Sequence, residues 1–151
     1  MFRTVIAFLL LVLSGTCIAQ GDGVVRVKSA YTMNETVARL KSDVAAKGIM
    51  FFSEVDQRAL AEKAGIAIRP STLLTFGNPP LGTQFINSKP EAGLDWPVRL
   101  LVQQDEKGEV WAIYTDFGWI ARRHGVAGEA AAPFQTASGV ISSITSSIQR
   151  K

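Results

Sequence analysis

The 151-residue chain holds one cysteine, Cys17, and one histidine, His124. That inventory excludes a Cys/His zinc site and a Cys/His nucleophile pair. No G-x-S-x-G elbow and no phosphate-binding glycine pattern occurs, so the usual local signs of a serine hydrolase or a nucleotide site are missing. No apolar run approaches the roughly 20 residues of a membrane-spanning helix. Neither sign of charge dominates: 16 Lys and Arg against 13 Asp and Glu give a net of +3. The basic residues are scattered, with Arg122-Arg123-His124 the tightest group, so neither nucleic acid nor an acidic lipid surface is an expected partner.

What is present begins at the amino terminus. Arg3 precedes an apolar run from Val5 to Leu13, followed by Ser14, Gly15 and Thr16 and by the small-x-Ala site Cys17-Ile18-Ala19. This pattern predicts a signal peptide over residues 1–19, cleaved before Gln20, and hence an exported protein, periplasmic or secreted, without a stable membrane anchor. Cleavage there also removes Cys17 and leaves about 130 residues, a common single-domain size that must rest on its core without disulfides. Lipid attachment at Cys17 is the weaker alternative, because Ser14 and Thr16 stand where a lipoprotein site carries Leu and a small Gly or Ala.

Further on, the chain alternates strand and helix signals. Val24 to Val27 reads as a strand. Thr32 with Glu35 forms a capping box for a helix with Met33, Val37, Leu40 and Val44 on one side and a stop at Gly48. Ile49 to Val55 fits a buried strand, Asp56 caps a helix closed by Gly65, and Thr72 to Phe76 is a third strand ended by Gly77-Asn78-Pro79-Pro80. Asn78 as N-cap with Pro79 at the first helical position opens a short helix through Leu81 and Phe85. Val98 to Gln104 and Val110 to Thr115 flank a hairpin loop, and Asp116 caps a helix that stops at Gly125. From Pro133, Phe134, Ala137, Ile141, Ile144 and Ile148 recur at helical spacing, and the pattern leaves open whether they dock on this chain or on another.

Few side chains remain for chemistry. His124 in the last turn of its helix is accounted for by the helix dipole. For Asp56 and Asp116, helix capping is a sufficient explanation. Asp95, in Gly93-Leu94-Asp95-Trp96-Pro97, reads as an Asx-type turn before a proline-fixed strand. The element ends most suited to a pocket are the Phe76 to Pro79 turn and the Leu94 to Pro97 segment. The candidate ligand-binding residues are therefore Arg69, Phe76, Gly77, Asn78, Asp95, Trp96, Tyr114 and Asp116, with no catalytic or metal-ligating residue assigned and no cofactor implied.

Arg69-Pro70-Ser71-Thr72-Leu73-Leu74 running into Phe76-Gly77-Asn78-Pro79, then Gly82-Thr83, Leu94-Asp95-Trp96-Pro97, Tyr114-Thr115-Asp116 and Ala121-Arg122-Arg123-His124-Gly125, resembles the bacterial domain of unknown function 302 family from about Val27 to Gly125. The resemblance implies a compact α+β domain, often exported, and carries no established reaction or cofactor. Where family members often show an Asp-His pair, this chain has Asp56 and Gln57, and an amide neither titrates nor ligates metals well. Trp96 stands where Leu is common, and Phe117-Gly118 where proline is frequent.

These readings predict a two-layer α+β domain over residues 20–132, with one mixed sheet of about five strands, an antiparallel hairpin and helices mainly on one face. An extra C-terminal helix over residues 133–151 lies outside the family core. The favoured function is an exported, non-enzymatic binding module whose partner is a small or apolar ligand or an envelope protein, with homodimer formation an open option. The rivals are a carboxylate-dependent enzyme, built on Asp95 or Asp116 with Asn78 or Arg69, and a structural or assembly protein.

Overall fold

The structure, a computed structural model, describes residues 21–149, so the expected signal peptide and Cys17 lie outside the described residues. Five strands, β1 (Val24–Lys28), β2 (Met50–Asp56), β3 (Ser71–Gly77), β4 (Val98–Gln104) and β5 (Val110–Thr115), form one sheet in the order β1-β5-β4-β3-β2. Five α-helices accompany them: α1 (Met33–Ala46), α2 (Gln57–Lys63), α3 (Pro79–Ser88), α4 (Phe117–Arg123) and α5 (Ala132–Ser146). Short 3-10 helices span Pro90–Asp95 and Gly128–Ala131. Among the described residues no helix is long and apolar enough to cross a membrane.

Every pairing in the sheet is antiparallel, which corrects the mixed sheet expected from the strand-helix-strand rhythm. The reason is where the crossover lands. β1 and β2 run in the same direction on either side of α1, but they occupy opposite edges, with the three later strands inserted between them. A parallel direction without adjacency makes no parallel ladder.

Ile49 to Val55, expected to be a buried strand, is instead the edge strand β2, with Met50, Phe51 and Phe52 exposed because nothing among the described residues pairs beyond it in the sheet. The capping and stop signals, by contrast, act as the residue chemistry requires. Thr32 and Glu35 complete a reciprocal capping box at α1, and the Asp56 carboxylate accepts the Ala59 amide at 2.9 Å to open α2. Gly48, Gly65 and Gly125, just beyond α1, α2 and α4, have φ of +66°, +72° and +68°, a region that favours glycine. In the β4–β5 hairpin, Asp105 accepts the Trp111 indole N–H and the amides of Lys107 and Glu109. The Trp111 bond first, then those amides, hold its carboxyl below the ordinary range, so this contribution to stability is present above the ordinary carboxylate range and is lost as pH falls through the lowered value.

Period-2 alternation sorts the strands into two faces. Leu74, Phe76, Leu100, Val102, Val110 and Ala112 are buried under helices, whereas the row Val55, Leu73, Leu101 and Ile113 on the other face is only half-buried. The last helix settles the docking question in favour of its own chain. Phe134, Ile141, Ile144 and Ile148 are each no more than 2% exposed, Phe134 stacks on Phe85 with ring centroids 4.2 Å apart, and the Ala30 amide donates to the Ile148 carbonyl. At about 1.5 to 3 kcal/mol per buried side chain, this helix belongs to the core and is no appendage.

Candidate functional site

Two depressions meet at one end of the sheet, on either side of Val98 and Phe117. The first is a cleft enclosing about 30 Å³ between the ends of β3 and β4, helix α3 and helix α5. Its walls are almost wholly apolar: Phe76, Leu81, Phe85, Val98 and Ile141 among them. Glycine shapes it by close approach. A Cβ at Gly77 would come within 2.8 Å of the Trp96 indole nitrogen, and one at Gly82 within 1.9 Å, so the indole lies in a slot that exists only because both positions lack a side chain. Trp96 Nε1 makes no hydrogen bond among the described residues, although it borders the cleft. The Trp96 ring also makes a T-shaped contact with Phe52, the centroids 6.0 Å apart. Outward, the cleft continues into a shallower depression bordered by Lys47, Asn78, Thr136 and Gly139.

The second depression is smaller and polar, bordered by Asp95, Arg99, Tyr114, Thr115, Phe117 and Ile120. Asp95 ends the 3-10 helix before the cis Trp96–Pro97 peptide bond, and its side chain is only 5% exposed. Its turn role is not the one expected. Oδ2 lies 2.7 Å from His124 Nε2, while Arg123 Nη1 approaches both carboxylate oxygens at 3.3 and 3.4 Å and Arg99 Nη2 lies 3.7 Å from Oδ1. His124 is equally enclosed at 7% exposure. The His124 ring makes no other hydrogen bond among the described residues. Burial raises the nearby Tyr114 phenol above its ordinary range, opposed by a hydrogen bond with Thr145.

The eight sequence candidates therefore divide. Phe76, Gly77, Asn78 and Trp96 meet at the apolar cleft, while Asp95 and Tyr114 border the polar depression. Asp116 is elsewhere engaged: its Oδ1 accepts the Trp119 amide at 2.6 Å and caps α4. Arg69 sits in a different shallow depression beside Pro70, Ser71 and Gln103, 3.6 Å from Glu106. Asn78 occupies the N-cap of α3 but makes no side-chain capping bond. Arg99, Arg123 and the pairing of His124 with Asp95 were missed, because a bond across 29 residues leaves no local pattern. The one available signal was an Asp set between two large apolar residues, where a charge needs a partner. Among the described residues, no group of three or more His, Cys, Asp and Glu is arranged to hold a metal ion.

Fold and site together define a one-sheet antiparallel α+β domain with helices over one face and paired depressions at one end. The family model described as "Domain of unknown function DUF302" matches residues 25–144, and the chain belongs to that family. The match takes in most of α5, which agrees with the place of that helix in the core. Similar relatives are "Fluoride-specific ion channel FluC 1" of Brucella suis biovar 1 (strain 1330) and the protein of the same name in Brucella abortus biovar 1 (strain 9-941). Each is 38% identical over 103 residues, which make up 68% of this chain but 41% and 38% of the respective relative. The chain thus spans about two fifths of the length of these relatives. The crystal structure of an uncharacterized conserved DUF302 protein from Bacillus stearothermophilus is similar with a TM-score of 0.77 at 15% identity, covering 85% of this chain and 100% of that one. At that identity the likeness concerns the fold alone.

Proposed function

We propose that this protein is an exported, non-enzymatic binding module, acting in the cell envelope, whose ligand places a small apolar group in the Trp96 cleft and accepts a hydrogen bond from the indole N–H. The observation that carries the reading is the cleft itself: two glycines let the Trp96 indole seat in its wall, the remaining walls are almost wholly apolar, and the indole N–H beside it has no hydrogen-bond partner among the described residues. Ligand pockets commonly combine apolar walls with a few placed polar groups. The enzyme reading required two of Asp95, Asp116, Asn78 and Arg69 in one cleft, and these four are dispersed. That a similar stretch forms about two fifths of longer proteins named as fluoride channels fits an accessory module better than a self-contained catalyst.

The test is native mass spectrometry of the protein purified from its own cell envelope, wild type beside Gly82→Val. A small-molecule adduct on the wild type that is lost in the folded variant is the expected result. An adduct-free wild type, or an adduct retained by Gly82→Val, counts against the cleft. Recovery of the protein only in the cytoplasm, with residues 1–19 intact, counts against export.

A further inference from the structure

We infer a second binding site, independent of the Trp96 cleft, in which Arg99 and Arg123 clamp a small oxyanion, a phosphate or a carboxylate, above the buried Asp95–His124 pair. The argument starts from an imbalance. Two guanidinium groups converge on one carboxylate that the imidazole already holds at 2.7 Å. A strong charge-assisted hydrogen bond measures about 2.7 to 2.9 Å. Arg123 stands 3.3 Å and Arg99 3.7 Å from the shared oxygen, Oδ1, so neither guanidinium is well satisfied by it.

Their remaining contacts leave donors open. Arg99 also donates to the Leu94 carbonyl at 3.1 Å, and Arg123 lies over the Trp119 ring at 5.7 Å. Each guanidinium carries five N–H donors, and these side chains are 58% and 46% exposed, so donors remain accessible from solvent. Because both nitrogens lie near one oxygen atom, they are within about 7 Å of each other, a gap that two oxygens of one anion can bridge with charge-assisted bonds. Thr115 borders the depression that Asp95 and Arg99 line. The two guanidinium groups offer an anion more donors than the one carboxylate uses, and the planar guanidinium fork suits phosphate and carboxylate geometry. The enclosed Asp95–His124 pair supplies the rigid floor on which both arginines rest.

His124 is the only histidine of the chain, so its ring signals report this site without ambiguity. The experiment is a titration of ¹⁵N-labelled protein with inorganic phosphate, and separately with acetate, at fixed pH and with ionic strength held constant by sodium chloride. A saturable movement of the imidazole signals with either anion is expected, and which anion binds more tightly assigns the ligand class. Arg99→Gln and Arg123→Gln are each expected to weaken the binding about tenfold, and together to abolish it. Arg26→Gln removes an exposed cation from β1 and leaves the affinity unchanged. A response that chloride reproduces, that does not saturate, or that survives in the folded double variant overturns the inference.

Discussion

The two depressions share Val98 and Phe117 as a common wall and differ in how they are made. The apolar cleft is an absence: Gly77 and Gly82 withhold side chains, and the Trp96 indole occupies the room they leave. Beside the polar depression lies a convergence, in which Asp95 draws Arg123 and His124 from the end of α4 and Arg99 from β4 onto one carboxylate. Space made by glycine is sensitive to any added atom. A converging charge cluster is sensitive to any lost one. Substitutions that damage one side while sparing the other therefore measure how separate the two are.

The largest effect is expected from Phe134→Ala. Phe134 is fully buried and stacks on Phe85, which lines the cleft, so truncation removes an aromatic layer directly behind it. A loss of about 3 to 5 kcal/mol in urea unfolding is expected, with the His124 ring signals of the remaining folded protein unmoved. Gly82→Ala follows, at about 1 to 3 kcal/mol, because the new methyl group overlaps the indole and the ring must shift. The altered tryptophan emission should be absent from a Gly82→Ala protein in which Trp96 is already Phe. Asp95→Asn belongs to the other side. The amide oxygen still accepts from His124 Nε2–H, but the charge that holds Arg123 and Arg99 is gone, so a loss of about 1 to 2 kcal/mol is expected with little change in tryptophan emission.

The same contrast explains what the sequence disclosed. Elements bounded by Thr32 and Gly48, by Asp56 and Gly65, or by Asp116 and Gly125 were legible because caps and stops act within a few residues. The apolar cleft was half legible for the same reason, since Gly77-Asn78-Pro79 and Trp96-Pro97 mark where the backbone turns. Sheet order was not legible, because inserting β3, β4 and β5 between β1 and β2 is decided by packing and not by any short segment. Nor was the Asp95–His124 bond, since each residue has an adequate local explanation of its own, a turn for one and a helix end for the other. Only burial reveals that both explanations are incomplete.

The smallest effect separates glycine as space from glycine as backbone. Gly125 follows His124 at the end of α4 with φ of +68°, yet a Cβ there would meet nothing within 4 Å. Gly125→Ala thus adds no clash and costs only the strain of a left-handed alanine, about 1 kcal/mol. Because the substitution relaxes by shifting the chain next to His124, the imidazole signals should move while tryptophan emission stays as in the wild type. Gly82→Ala should do the reverse. A Gly125→Ala protein that disturbs the indole as strongly as Gly82→Ala does would mean that the depressions move as one body, with Val98 and Phe117 coupling them instead of dividing them.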